Sequence, residues 1–340
     1  MDAVAPIPQS AGQATLGETI AEARRQLECA GIESAEQEAL WIVQHVLRLP
    51  AHHVVTDRDR VLSTAELVTA KGLVQRRVGR EPLQYIVGTQ EFCGLEFHVN
   101  QAVLIPRPET ELLVEYVAQR ISAEQPATIV DACTGSGCIA VAIARQRPHV
   151  RMIATDLSRP SLDVARQNAV LHLVGERIIW LEGDLLGALA GQRLEGQVDV
   201  IVSNPPYIAE ADWAALQPEV RLFEPRGALI AGPQGTELHE RLLQEAGRYL
   251  SPGGALILEI GAGQARAIRQ IVEQISGYRF HRLVYDEAGL ERVVIVERVG
   301  TYAGCSNSSP ATFSFSEDPQ RTSEGTPPVV ARYGLYGQPC

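Results

Sequence analysis

The stretch Thr128-Ile129-Val130-Asp131-Ala132-Cys133-Thr134-Gly135-Ser136-Gly137-Cys138-Ile139-Ala140 reads as a strand, a glycine turn and the start of a helix in immediate succession. The β-rich run Thr128–Val130 gives way to the small apolar residues of Ile139–Ala144, which read as helix. Gly135 and Gly137 have no Cβ, so the backbone there can turn sharply and approach a ligand closely. In an open α/β sheet the carboxyl end of a strand is where ligands bind. A phosphate loop of the Walker type requires Gly-Lys-Ser/Thr and is excluded, because no lysine follows Gly137. A dinucleotide fingerprint asks for a third glycine at the position of Ala140, so the loop by itself leaves NAD and S-adenosylmethionine both open.

Asp156 adds the mark of a nucleoside-containing ligand, which fits S-adenosylmethionine as well as NAD. It follows the strand Met152–Ala154, about 20 residues beyond the loop, where a carboxylate can accept from both ribose hydroxyls. Asp184 follows the strand Ile178–Leu181 at the same sheet edge, within reach of an adenine amino group. Farther along come a helix at Ser161–Leu171, a strand at Val198–Val202, a helix at Glu237–Leu250, a strand at Ala255–Ile260 and a helix at Gln264–Ile275. Repeated strand–helix units predict an α/β fold with a mostly parallel sheet covered on both faces. Two last strands, Tyr278–Tyr285 and Arg292–Arg298, are joined by too few residues for a parallel crossover and should pair antiparallel at one edge.

On the N-terminal side the pattern changes. From Leu16 to Gly79 apolar residues recur at helical spacing, and Ser63 with Glu66 has the spacing of a capping box. This predicts a small helical bundle, with His52 and His53 in a connecting loop. Phe92, Gly94-Leu95, Phe97 and Val99 suggest a hairpin that links the bundle to the sheet. The reading divides the chain into a disordered 1–14, a helical domain at 15–88, a hairpin linker at 89–105, a catalytic domain at 106–300 and a disordered tail at 301–340. Ser, Thr, Pro and Gly fill 19 of the last 40 positions.

The most discriminating residues follow the strand Val198–Val202: Ser203-Asn204-Pro205-Pro206-Tyr207. Two prolines stiffen the backbone and leave its carbonyls without competing N–H groups. Asn204 Oδ1 and the Pro205 carbonyl form a rigid pair of acceptors beside the ligand crevice, with Tyr207 as an aromatic face. A planar –NH2 group is a poor nucleophile because its lone pair is delocalised. Two acceptors that hold its hydrogens orient the nitrogen and favour the charge of the transition state. That suits methylation of an amide or an exocyclic amine, with no metal and no covalent intermediate.

Further segments resemble one family. Gly79-Arg80-Glu81-Pro82-Leu83-Gln84-Tyr85-Ile86-Val87-Gly88, Phe92-Cys93-Gly94-Leu95, Leu104-Ile105-Pro106-Arg107-Pro108-Glu109-Thr110-Glu111, the Asp131–Gly137 loop, Ser203–Tyr207 and Arg221 with Phe223-Glu224-Pro225 carry the likeness. From about Leu16 to Arg298 the chain resembles the protein-(glutamine-N5) methyltransferases of the HemK/PrmC type, which modify peptide chain release factors. The resemblance implies a class I (Rossmann-like) seven-stranded methyltransferase domain, a small N-terminal helical bundle and a β-hairpin linker. It implies methyl transfer from S-adenosylmethionine to the glutamine of the GGQ motif in class 1 release factors. Carried over by position, Cys133, Thr134, Gly135, Ser136 and Gly137 contact the methionine part of the cofactor. Asp156 binds the ribose, and Leu185, at a position often aromatic in the family, lies beside the adenine. Asn204, Pro205, Pro206 and Tyr207 hold the substrate amide; Asn204, Pro205 and Tyr207 are the catalytic positions, and Asn204 also touches the cofactor. Arg107 and Thr110 are partners for the cofactor carboxylate, and Cys133 and Cys138 act as small packing groups.

Composition bears on the rival reading, methylation of an exocyclic amine of adenine or guanine in nucleic acid. The net charge is −11, with 30 Lys+Arg against 41 Asp+Glu, whereas duplex affinity comes mostly from basic side chains on phosphates. Residues 1–105 carry 9 Lys+Arg against 13 Asp+Glu, so no basic recognition domain precedes the sheet. All the basic residues but Lys71 are arginine, a skew of composition without functional meaning. The six cysteines show neither metal-ligand spacing nor a disulfide framework, and reduced thiols fit a cytoplasmic enzyme. No apolar run approaches the ~18 residues of a membrane span, and no signal peptide is visible. The resemblance points to a monomer.

Overall fold

The computed structural model describes residues 14–299, so the ends expected to be disordered lie outside it, Ala14 excepted. Of these, residues 14–88 together with Gln217–Phe223 form one compact unit. Thr89–Leu216 and residues 224–299 form the other.

The first unit is helical: α1 (Leu16–Cys29), α2 (Ala35–Leu47), α3 (Ala51–Thr56), α4 (Thr64–Val78) and α5 (Leu83–Val87). Both long outer helices begin in capping boxes. Thr15 Oγ1 accepts from Glu18 N at 3.2 Å while Glu18 Oε2 accepts from Thr15 N at 2.8 Å, and Ser63 and Glu66 repeat the arrangement for α4. Each reciprocal pair satisfies two N–H groups that the first turn leaves without helical partners. His52 and His53 fall in α3, a short helix where the sequence reading has a loop. Leu16, Leu27, Ile42 and Val43 are fully buried between the helices.

One buried ion cluster holds this unit. Arg77 Nε lies 2.5 Å from Glu38 Oε2 and its Nη1 3.0 Å from Glu219 Oε1, with all three side chains about 5% exposed or less. Arg80 adds a second guanidinium to Glu219 at 2.8 Å. Removing one member of a buried pair leaves an uncompensated charge. Arg77→Met is therefore expected to cost about 3–5 kcal/mol, read as a lowered urea midpoint. A midpoint equal to that of the parent protein would show the cluster to be energetically silent.

The second unit opens with the hairpin β1 (Thr89–Phe92) and β2 (Leu95–His98), closed by Cys93 and Gly94 at φ +51° and +72°. Two left-handed residues are what a two-residue turn needs to match the strand twist. Phe92 and Phe97 are fully buried in the core of this unit, edge to face with centroids 6.0 Å apart. Asn168 holds the hairpin by accepting from His98 N at 2.7 Å and donating to His98 O at 3.0 Å. The hairpin is thus part of the sheet unit.

There follow α6 (Glu111–Arg120), β3 (Ala127–Ala132), α7 (Cys138–Gln146), β4 (Val150–Asp156), α8 (Arg159–Leu171), β5 (Ile178–Glu182), β6 (Val198–Ser203) and β7 (Ile208–Ala209). The rest are α9 (Pro218–Phe223), β8 (Ile230–Gly232), α10 (Glu237–Tyr249), β9 (Leu250–Glu259), α11 (Ala265–Gln274), β10 (Tyr278–Tyr285) and β11 (Glu291–Arg298). The seven-stranded sheet has the order β10-β11-β9-β6-β3-β4-β5. Its neighbours are parallel from β9 to β5, while β11 runs antiparallel to both β9 and β10. The expected α/β architecture and antiparallel edge are both present.

Period-2 alternation builds two cores. Ile129, Val200, Val202 and Ile257 point to one face, where α7 covers them. Val130, Ile201, Leu256 and Leu258 point to the other, under α10 and α11. Both faces being buried explains why these strands read as continuous apolar runs. Register then fixes the site: Ala132 pairs with Thr155 on one side and Ser203 on the other. The residues that follow β3, β4 and β6 therefore emerge together at one sheet edge. Among the described residues no helix is long and apolar enough to cross a membrane.

Candidate active site

At that edge lies a cavity of about 610 Å3, within the ~300–1,000 Å3 range of small-ligand sites. Cys133, Thr134, Gly135, Ser136, Asp156, Asp184, Leu185, Arg107, Thr110, Asn204 and Pro206 all line it. Of the residues singled out from sequence, Gly137, Pro205 and Tyr207 are not among its lining residues.

The glycine turn is held from below. Thr134 Oγ1 donates to the fully buried Asp131 at 2.5 Å, and burial pushes that carboxyl up to about 7. Cys133, Gly135 and Gly137 all take positive φ, so the turn carries two glycines at three left-handed positions. Asp156 ties the turn to β4, accepting from Gly135 N and Ser158 N at 2.8 Å each, one bond per oxygen. A carboxylate oxygen has capacity for a second donor, so both remain usable by ligand hydroxyls. Burial raises the Asp156 carboxyl above the ordinary range, against these two bonds that lower it. Burial also pushes the thiols of Cys133 and Cys138 up to about 12, leaving both neutral.

On the rim, Asp184 is paired with Arg241 at 2.7 Å. Leu185, in left-handed conformation, lies on the cavity wall with its carbonyl accepting from Thr155 Oγ1 at 3.1 Å. It supplies apolar surface and no ring.

The Ile105–Glu111 segment is tied into the protein through Ile105 N, Arg107, Thr110 and Glu111. Glu224 accepts from Ile105 N at 3.2 Å and pairs with Arg107, while Glu111 accepts from Cys93 N at 2.7 Å. Thr110 Oγ1 donates to Glu259 Oε2 at 2.7 Å and accepts from Asn204 Nδ2 at 3.1 Å. With its one hydroxyl hydrogen on Glu259, Thr110 is held within the protein at the cavity wall. Arg107 reaches the cavity with its charge already compensated by the buried Glu224.

Tyr207 is partly buried. Its hydroxyl is 3.4 Å from Glu259 Oε1, and a Cβ on Gly261 would lie 3.3 Å from its Cδ2. Its carbonyl accepts from Gln264 Nε2 at 2.9 Å. These contacts anchor the loop after β6. Burial, then the nearby Glu259, drives its phenol far up.

Sequence reading missed Glu259 and Gln264. Glu259 is 2% exposed, and burial raises its carboxyl to about 7. The signal was present: one acidic residue interrupts the apolar run Leu256–Ile260 at a strand end, and carboxylates are seldom buried without a partner.

Residues 18–88 match the family model of the PrmC N-terminal domain, and residues 108–224 match that of the methyltransferase small domain. A release factor glutamine methyltransferase of Geobacter sulfurreducens is 43% identical over 264 residues, covering 78% of this chain and 90% of that protein. One of Nitratidesulfovibrio vulgaris is 39% identical over 292 residues, 86% of this chain and 98% of its own length. One of Moorella thermoacetica is 38% identical over 284 residues, 84% and 99%. With identity at this level running through both the helical unit and the sheet, the chain belongs to the release factor glutamine methyltransferase family.

Proposed function

We propose that this protein transfers a methyl group from S-adenosylmethionine to the side-chain amide nitrogen (N5) of the glutamine in the GGQ motif of class 1 peptide chain release factors. The observation that carries the reading is the Asn204 amide. Its Nδ2 is bonded inward to Thr110 and its residue lines the cavity, so Oδ1 is left as an acceptor beside the ligand space. An acceptor there suits a donor-rich –NH2 group.

The cavity fits the methyl donor by its chemistry. A left-handed glycine turn gives close backbone approach for the methionine part at residues 133–137. Asp156 keeps acceptor capacity for the ribose hydroxyls, and Leu185 offers apolar surface to the adenine, with Asp184 at the rim. When bound, S-adenosylmethionine supplies an already activated methyl group on its sulfonium. Asn204 Oδ1 and the Pro205 carbonyl accept the two hydrogens of the glutamine amide and aim its nitrogen. Pro206 stiffens the loop, and Tyr207 anchors it. This is catalysis by positioning, and no metal is invoked. The same reading makes the protein a cytoplasmic monomer that meets its release factor through the helical unit, without direct contact with nucleic acid.

The test is peptide mass spectrometry of a release factor incubated with enzyme and S-adenosylmethionine. The expected result is a gain of one methylene mass on the GGQ glutamine. An unmodified glutamine, alongside nuclease-sensitive transfer of labelled methyl to DNA or RNA, would replace this reading with that of a base amino-methyltransferase.

A further inference from the structure

We propose that Thr110 and Glu259 are positioning residues for methyl transfer: together they determine which end of the Asn204 amide faces the substrate. The inference rests on the reading of Asn204 as the acceptor for the glutamine amide.

An asparagine side chain has nearly the same shape with its oxygen and nitrogen exchanged, and only its hydrogen-bond partners select one orientation. The choice matters here. With Oδ1 outward the side chain accepts from an –NH2 group, whereas with Nδ2 outward two donors would face each other. Something must hold the amide before substrate arrives.

Three side chains separated widely in sequence supply the constraint. Glu259 Oε2 accepts from Thr110 Oγ1 at 2.7 Å, and Thr110 Oγ1 in turn accepts from Asn204 Nδ2 at 3.1 Å. Thr110 and Glu259 are 3% and 2% exposed, so water does not compete for these groups. A hydroxyl has one hydrogen. Once Glu259 takes it, Thr110 can only accept from Asn204, and the amide must turn its nitrogen inward. Glu259 is fixed in its turn at the end of β9, where His239 Nε2 lies 2.8 Å from its backbone carbonyl. The polarity holds as long as Oε2 carries no proton, as in the carboxylate or the acid protonated on Oε1.

The polarity of this chain is what a substitution can reverse or erase. Thr110→Val keeps the shape and removes the hydroxyl. Glu259→Gln places an amide where the carboxylate was, and its Nε2 can donate to Thr110 and free the hydroxyl hydrogen for Asn204. Either change lets Nδ2 turn outward.

The experiment measures kcat and KM for release factor methylation, with the dissociation constant for S-adenosylmethionine by calorimetry. The proteins are the full-length parent, Thr110→Val, Thr110→Ser and Glu259→Gln. We expect Thr110→Val and Glu259→Gln to lower kcat by about 10- to 100-fold with KM and cofactor affinity within about threefold. Thr110→Ser restores the hydroxyl and should recover most of the kcat. Unchanged kcat in Thr110→Val, in an enzyme whose parent methylates the release factor, overturns this inference and leaves the proposed function standing. So does equal loss in Thr110→Val and Thr110→Ser, which marks a packing role. Weakened cofactor binding at constant kcat also overturns it, by returning Thr110 to the cofactor. A parent protein that leaves the release factor unmodified overturns both readings. If Thr110→Val fails to fold, Glu259→Gln carries the same test with the same outcomes.

Discussion

Replacing Asn204 by alanine is expected to lower kcat for release factor methylation by about 10²–10³-fold, the usual cost of removing one preorganised polar group aimed at a reacting centre. Cofactor affinity should change by no more than about threefold, since most groups assigned to the methyl donor lie in the turn after β3, at the end of β4 and after β5. The side chain offers one acceptor to the cavity, Oδ1, because Nδ2 is bonded to Thr110. Alanine removes that acceptor and also strips Thr110 of the donor it accepts from. The Pro205 carbonyl survives, so about half the orientation of the –NH2 group is kept and the variant should retain measurable turnover. Single-turnover rates at saturating release factor separate chemistry from binding. A variant whose defect lies wholly in KM would show that Asn204 binds the substrate without favouring the transition state.

Much of this was legible in the chain. The strand–turn–helix at 127–146 and the Asn-Pro-Pro-Tyr loop are local patterns, set by glycine φ freedom and proline stiffness, and both stand where the sequence places them. The βαβ order followed from apolar runs, because both faces of the sheet are buried and strand residues such as Val200, Ile201 and Val202 are all apolar. What could not be read was pairing at long range. Thr110 and Glu259 are 149 positions apart, and their hydrogen bond is a product of the finished fold. Without that partner, Thr110 looked available to a ligand. Glu219 joins Arg77 across 142 positions and draws Gln217–Phe223 into the helical unit, although the flanking chain belongs to the sheet. α6 is not evident from sequence because its buried face is only three residues, Leu113, Val114 and Val117, too short for a clear helical period.

The two glycines of the turn look equivalent in sequence and are expected to respond very differently to alanine. Both have positive φ, +56° at Gly135 and +79° at Gly137, so each substitution carries backbone strain of about 1–2 kcal/mol. Their surroundings differ. A Cβ at Gly135 meets nothing within 4 Å, whereas one at Gly137 falls 2.9 Å from Ala165 Cβ, 3.1 Å from Ala165 Cα and 3.3 Å from Trp180 Cη2. The Ala165 contact is with a fully buried residue of α8 close to its backbone, so relief requires one helix to move. Overpacking of that kind adds about 1–3 kcal/mol. Gly137 is also the N-cap of α7, whose residues Cys138 to Ala144 are all buried, which leaves little room to yield. Gly137→Ala should therefore lose about 2–5 kcal/mol, against about 1–2 for Gly135→Ala. In a unit of this size that is about 4–20 °C of melting temperature against roughly 2–8 °C. Displacement of α7 would also pull Gly135 N from Asp156, which it now meets at 2.8 Å, so the Gly137 variant should bind S-adenosylmethionine weakly even when folded. Equal melting shifts in the two variants would mean that the α7–α8 contact relaxes freely, and close helix packing could not then be the reason for a glycine at 137.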